Sequence, residues 1–230
     1  MRWEIWKPRY EEIAERLGLD VEADARAAKV LNDLLPEPEL DKLMSIVWGE
    51  ECIVFGAAPS LEDDLRELRK RGFLKKVLIS ANGATSAVMK YRRPEIVVTD
   101  LDGKVSDQLK AWSRGSWLVV HAHGDNLHRV KEVVPRIRTR ILGTTQTRPF
   151  GKLFNFGGFT DGDRAAFLAH ELGASLIYLA GMNPEGEIGK YSGRKNPARK
   201  RLKLQICREM LEWLKQLGAR VVEFSPNLIK

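Results

Sequence analysis

Cysteine is nearly absent from this chain, with Cys52 and Cys207 the only two in 230 residues, each in an apolar setting. Neither has a second Cys or a His at zinc-ligand spacing, so a local zinc motif and a disulfide framework are excluded and buried packing is expected. No apolar run is long enough to span a bilayer, and Met1-Arg2-Trp3-Glu4 lacks the apolar centre of a signal peptide. The expectation is a cytoplasmic protein with no membrane partner. Internal repeats and low-complexity tracts are missing as well. The familiar phosphate motifs are also absent. Gly56-Ala57-Ala58-Pro59-Ser60-Leu61 contains no Gly-Lys-Ser/Thr and no three-glycine dinucleotide fingerprint.

What is present describes a globular protein: 43% hydrophobic and 30% charged residues, with a net charge of +7 that suits an anionic small molecule or a nucleic acid. The first 48 residues differ in character from the rest. Apolar residues recur at helical spacing from Tyr10 to Leu17 and from Ala23 to Leu35, with Gly18 and Pro36 as stops. Trp3, Trp6 and Trp48 are expected to anchor this segment by packing. The residues leave open whether it forms a lid, a homodimer surface or plain packing. Residues 49–230 then repeat a pattern of apolar strand, polar exit and helix, which predicts an α/β fold with a doubly wound, mainly parallel sheet.

The strand exits carry the chemistry. Pro94 to Thr99 reads as a short buried strand that runs into Asp100 and Asp102. In an extended chain these two carboxylates point the same way, and they repel unless a cation or a proton lies between them. A divalent-metal site serving a phosphate is one reading; a helix cap followed by a turn at Gly103 is the other. Trp117 to Ala122 exits through His123-Gly124-Asp125. His121, His123 and Asp125 share one phase, so zinc is one reading; the preferred one is Mg²⁺ bound through Asp125, with His123 touching a phosphate, because imidazoles do not suit a hard cation.

The remaining exits add hydroxyls, amides and more acids. After Phe55, the small residues let backbone N–H groups approach a phosphate, and Ser60 can cap the helix expected from Glu62 to Lys70. Asn82 closes the strand that begins at Val77 and Thr85 follows it, either bonding a ribose or a heterocycle or satisfying the turn; Thr145 and Gln146 lie at another strand end. Asp161 and Asp163 precede a helix over Ala165 to Leu172, either capping it or joining the site. Phe154, Phe156 and Phe159 surround paired glycines, with core packing expected for at least two of them. The basic stretch holding Lys190, Arg194, Lys200 and Lys203 is either a solvated face or a clamp for a polyphosphate.

If these strands run parallel, the acid clusters at Asp100/Asp102, Asp125 and Asp161/Asp163 converge on one sheet edge, where open α/β sheets bind ligands. The segments TDLDG at 99–103, HAHGDN at 121–126, TTQT at 144–147 and GGFTDGDRA at 157–165 together resemble the archaeal 6-hydroxymethyl-7,8-dihydropterin diphosphokinases. GAAPSL at 56–61, SANGAT at 80–85 and GKYS at 189–192 support the likeness, which runs from about residue 50 to 215. Asn183 departs from the family pattern, where an acid and an aromatic are expected after Gly181-Met182.

The resemblance implies a fold similar to the thiamine pyrophosphokinase catalytic domain, ATP as co-substrate and Mg²⁺ as cofactor. It also implies diphosphate transfer to a pterin in folate- or methanopterin-type cofactor synthesis. On that expectation Asp100, Asp102 and Asp125 hold Mg²⁺, with Asp161 or Asp163 nearby. Lys190, Arg194, Lys200 and Lys203 neutralise phosphates, and Asn82, Thr145 and Gln146 recognise the ring. Two other readings compete: a metal-dependent glycosyltransferase with a nucleotide-sugar donor, and a non-catalytic nucleic-acid binder. The first has little room for an acceptor domain in so short a chain. The second lacks a recognisable motif, so no nucleic-acid partner is expected.

Overall fold

The computed structural model describes residues 1–183 and 197–224. Three helices come first: α1 (Trp3–Leu17), α2 (Val21–Leu34) and α3 (Leu40–Val47). Gly18 stops α1 in a left-handed conformation, its N–H returning to Ala14 and Glu15, and Asp20 caps α2 by accepting the Ala23 N–H at 2.9 Å. Helix α1 starts seven residues earlier than the apolar spacing suggests and carries Pro8 inside it. Pro8 removes one backbone bond, but fully buried Trp6 and nearly buried Tyr10 on either side hold the helix by packing.

Strands and helices then alternate: β1 (Glu51–Phe55), α4 (Leu61–Lys70), β2 (Val77–Ala81), α5 (Thr85–Val88), β3 (Ile96–Thr99), α6 (Val105–Ser113), β4 (Trp117–Ala122), α7 (Leu127–Val133), β5 (Ile141–Thr145), β6 (Leu153–Phe154), α8 (Asp161–Glu171), β7 (Leu176–Ala180), α9 (Pro197–Gln216) and β8 (Val221–Glu223). The strands form one sheet in the order β6-β5-β4-β3-β2-β1-β7-β8, and every pairing is parallel. The α/β fold with a parallel sheet and N-terminal helices therefore matches the pattern read from the sequence. Helices α3 and α7 and the two-residue edge strand β6 were not legible there, being too short for periodicity to show.

Side-chain alternation covers both faces of the sheet. Cys52, Val54, Ile79, Val98 and Val119 point into a core shared with α1, α3, α8 and α9. Their neighbours Val97, Leu118 and Val120 point the other way, towards Ala27, Ala28 and Leu31 of α2. Ile53, Phe55 and Leu78 meet Leu61, Leu65 and Leu68 of α4. Both cysteines are buried, as their settings suggested, and burial pushes the Cys52 thiol up to about 12. Trp48 corrects an expectation: it is 67% exposed and rests on Gly173 with its other side in solvent. Trp6 is the true anchor, its indole N–H donating to the Gln146 carbonyl at 2.8 Å.

Strand order reverses between β1 and β7, and the register brings the strand ends level, with Phe55 opposite Ser80 and Ala180, and Ala122 opposite Thr145. The loops leaving β1, β2, β3, β4, β5 and β7 thus emerge on one edge, at a topological switch point. Among the described residues, no helix is long and apolar enough to cross a membrane.

Candidate active site

A cleft of about 470 Å³ opens along that edge, within the usual size for a small-molecule site. Its floor comes from the strand exits, one end from the α1–α2 turn and the start of α2, and its roof from Arg199, Lys200, Lys203, Leu204 and Cys207 of α9. At the switch point the first and seventh strand exits touch. A Cβ on Gly56 would stand 2.7 Å from the Gly181 oxygen, and one on Gly181 would stand 2.6 Å from the Gly56 oxygen. Only glycine allows that approach, and Gly181 also adopts a φ of 60°.

The centre of the cleft is built around Asn82. Its amide nitrogen lies 2.6 Å from Asp100 Oδ1, 2.7 Å from Asp102 Oδ1 and 2.9 Å from Asp161 Oδ2. A chain of bonds orients that amide. The Leu101 N–H donates to Thr99 Oγ1, Thr99 donates to Gln108 Oε1, and Gln108 Nε2 donates to Asn82 Oδ1. Asn82 must therefore present its NH₂ to the acids. An NH₂ has two hydrogens and here faces three carboxylates. Asp161 Oδ1 is buried without a hydrogen-bond partner, and the Arg164 guanidinium stays 3.6 Å from it.

The Asp100/Asp102 pair is not formed by strand alternation. Strand β3 ends at Thr99, and Leu101 adopts a left-handed φ of 63° with the Asp102 N–H turned back to Asp100 Oδ1 at 3.1 Å. A tight turn brings the two carboxylates together. Gly103 does not carry a positive φ; a Cβ there would overlap the Asn82 amide oxygen, so close approach is what requires the glycine.

Burial pushes the Asp100 carboxyl up, but His123, 3.5 Å from Asp100 Oδ2, and then Asp102 outweigh it and hold Asp100 well below the usual range. Asp161 moves the opposite way, raised well above its ordinary value by burial and then by the Asp100 charge. Burial, followed by the Arg164 charge, keeps His121 neutral.

The other expected site residues divide. Gln146, His123, Asp125, Lys200 and Lys203 line the cleft. Asp125 is exposed at the rim, beside a side pocket of about 290 Å³ shared with His128, Arg129 and Arg199. Asp163 is a structural cap: wholly buried, it accepts the Phe159 and Thr160 N–H groups at 2.6 and 2.8 Å, as well as the Thr160 hydroxyl. Ser60 does not cap α4 through its side chain; its hydroxyl bonds Asp64, which also accepts the Gly181 N–H at 2.8 Å. Thr85 bonds Ser80 and Thr145 bonds Thr147, so neither is turned to the cleft. Phe159 lines the cleft, whereas Phe154 and Phe156 stack on each other. Lys190 and Arg194 lie outside the described residues.

Two cleft residues were missed. Arg164 is a nearly buried guanidinium on α8 whose Nη2 donates to the Phe159 carbonyl at 2.8 Å. Asp24 on α2 accepts from the Tyr10 hydroxyl at 2.8 Å, the Gln146 amide at 2.5 Å and the Gly124 N–H at 2.8 Å. A signal for Asp24 existed: it falls in helical phase with buried Ala27, Ala28 and Leu31, a carboxylate on an apolar stripe.

Among the described residues, no three His, Cys, Asp or Glu side chains form a ready-made metal cage. The Asn82 amide occupies the space between the acids. The donor set nonetheless suits a hard divalent cation. It is all oxygen and includes one buried oxygen that accepts no hydrogen bond, with the Arg164 guanidinium 3.6 Å away.

A family model described as 6-hydroxymethylpterin diphosphokinase MptE-like matches residues 26–185. A relative from Pyrococcus furiosus is 47% identical over 98% of this chain and all of its own length. One from Methanothermobacter thermautotrophicus is 42% identical over 95% of this chain and 97% of its own. A third, from Methanocaldococcus jannaschii, is 39% identical over 83% of this chain and 82% of its own. All three are named 6-hydroxymethyl-7,8-dihydropterin pyrophosphokinase. A solved structure, the MAf glycosyltransferase from Magnetospirillum magneticum AMB-1, superposes with a TM-score of 0.52 at 13% identity. It covers 91% of this chain and 39% of that one, a likeness of fold alone.

Proposed function

The chain belongs to the MptE-like 6-hydroxymethylpterin diphosphokinase family, and from that premise we propose how its cleft works. The reaction is transfer of diphosphate from ATP to the hydroxymethyl group of 6-hydroxymethyl-7,8-dihydropterin, with release of AMP. The hydroxymethyl oxygen forms a bond to the β-phosphorus. The bond from that phosphorus to the oxygen bridging the α-phosphate breaks, and its electron pair leaves with AMP. The alcohol proton is lost to solvent or to a cleft base.

The observation that carries this reading is the convergence of Asp100, Asp102 and Asp161 on one amide, with an oxygen of Asp161 left without a hydrogen bond. These three acids would hold Mg²⁺, with exposed Asp125 lining the same cleft beside Asp102 and His123. The cation, when bound, supplies charge neutralisation to the polyphosphate. Asp100, kept ionised by His123, is ready to bind it without losing a proton. Asn82 holds the carboxylates in register, and Lys200 and Lys203 reach into the cleft from the roof, where phosphate oxygens need positive charge. Positioning and electrostatics are what such a transfer needs; no covalent intermediate is required.

The test is a nucleotide product assay with ATP, Mg²⁺ and the pterin, and thiamine in a parallel tube. AMP formed only with the pterin supports the reading. ADP would mean attack at the γ-phosphorus, and no turnover with either acceptor would remove the reading.

A further inference from the structure

The two ends of the cleft offer different chemistry. At the β1–β7 end the walls are small residues and backbone, from Gly56, Ala57, Ala58 and Gly181. At the α2 end they are the polar side chains of Asp24, Gln146 and His121. The acids around Asn82 lie between, because β2 and β3 separate β1 from β4 and β5. Two substrates must meet at those acids from opposite sides.

Resting on the diphosphokinase reading, we propose that the α2 end takes the pterin ring and that Asp24 Oδ1 accepts one N–H, that of the 2-amino group, from its 2-amino-4-oxopyrimidine edge. Asp24 is 4% exposed yet lines the cleft, an expensive place for a carboxylate that only anchors a helix. Its Oδ2 already takes Tyr10 and Gln146, whereas Oδ1 takes only the Gly124 N–H. A carboxylate oxygen accepts two donors, so Oδ1 has one lone pair to offer the ligand. The pterin edge presents adjacent N–H donors: the 2-amino N–H takes that lone pair, and the neighbouring ring N–H brings no lone pair against the carboxylate. The corresponding edge of adenine sets a ring-nitrogen acceptor beside its donor, and that lone pair would repel the carboxylate. A continuous wall leads from that carboxylate to the reacting centre. Gln146 Oε1 is 3.4 Å from His121, His121 faces His123 with ring centres 6.2 Å apart, and His123 reaches Asp100 at 3.5 Å. A flat ring seated at Asp24 therefore extends its hydroxymethyl arm towards the acids.

The experiment compares wild type with Asp24→Asn, by AMP release, against the pterin and an analogue lacking the 2-amino group. The pterin KM should rise roughly 10- to 100-fold, that of ATP should change less than about twofold, and the wild-type penalty for the analogue should shrink in the variant. Asp24→Glu should recover part of the affinity. Arg16→Gln, on α1 and outside the cleft, should leave the pterin KM unchanged. Both KM values rising together, a fall in kcat alone, or a wild type indifferent to the 2-amino group would overturn the proposal. Calorimetric titration of the pterin into both proteins reads the same contact without turnover. Loss of turnover with recognition intact thus counts against the diphosphokinase reading and not against Asp24.

Discussion

Two polar clusters share this cleft and are satisfied to very different degrees. Around Asp24 one carboxylate receives three donors, from a hydroxyl, an amide and a backbone N–H. Around Asn82 one NH₂ serves three carboxylates, and an Asp161 oxygen is left with no donor. Buried polar atoms in folded proteins are almost always paired, because an unpaired one costs about 1–3 kcal/mol. The Asp24 cluster therefore stabilises the fold that holds it, tying α2 to the β4 and β5 exits. The Asn82 cluster works against its own fold and is explained by what it binds.

That contrast predicts opposite mutational signatures. The largest effect is expected at the strained cluster: Asp100→Asn or Asp161→Asn should lower kcat/KM for AMP release by roughly 10³-fold. Asp161→Asn should at the same time raise the melting temperature of the metal-free protein, by removing a buried like charge beside Asp100. A lower melting temperature would show that the cluster is stabilising, and the contrast would be lost. Next comes the satisfied cluster. Asp24→Ala strands the Tyr10, Gln146 and Gly124 donors together and should cost about 2–4 kcal/mol in denaturant unfolding.

Gly103→Ala sharpens the comparison, because its Cβ would push against the Asn82 oxygen that Gln108 holds in place. Turnover should fall roughly tenfold to a hundredfold while the unfolding free energy shifts by about 1 kcal/mol. The smallest effect lies away from both clusters. Arg16 on α1 and Glu209 on α9 pair at 2.5 Å, and hydrogen bonding from Arg16 lowers the Glu209 carboxyl. Its folded value lies below its unfolded one, so the increment is present above the ordinary carboxylate range and is lost as pH falls through the lowered value. Both side chains are partly exposed, at 25% and 39%, so Arg16→Gln should cost only about 0.5 kcal/mol at neutral pH. The difference from wild type should vanish in acid, as read from denaturant midpoints at the two pH values.

How much of this was legible in the sequence follows the range of the interactions. The strands from Glu51 to Ala180 announce themselves through β-branched runs, and their polar exits through Asp, Asn and Gly, because both signals are local. That the clusters Asp100/Asp102, Asp125 and Asp161/Asp163 lie towards one sheet edge was legible too, once the strands were taken as parallel. Asp163 and Asp161 were indistinguishable in sequence. Two residues apart at a helix start, one turns inward to the Thr160 cap and the other faces Asn82. Ser60, Thr85 and Thr145 looked like ligands because a hydroxyl carries no mark of its partner, and each found that partner within five residues.

The sequence by itself determined the fold class, the edge where the chemistry gathers and the family, since periodicity, strand exits and motif spacing are written along the chain. Tertiary structure alone decided which acids meet, which way the Asn82 amide faces and that Asp24 closes one end of the cleft. Asp24 meets Gly124 and Gln146 across 100 and 122 residues. Contacts at that separation are set by how α2 packs against the sheet, and no local pattern encodes the packing of two distant surfaces.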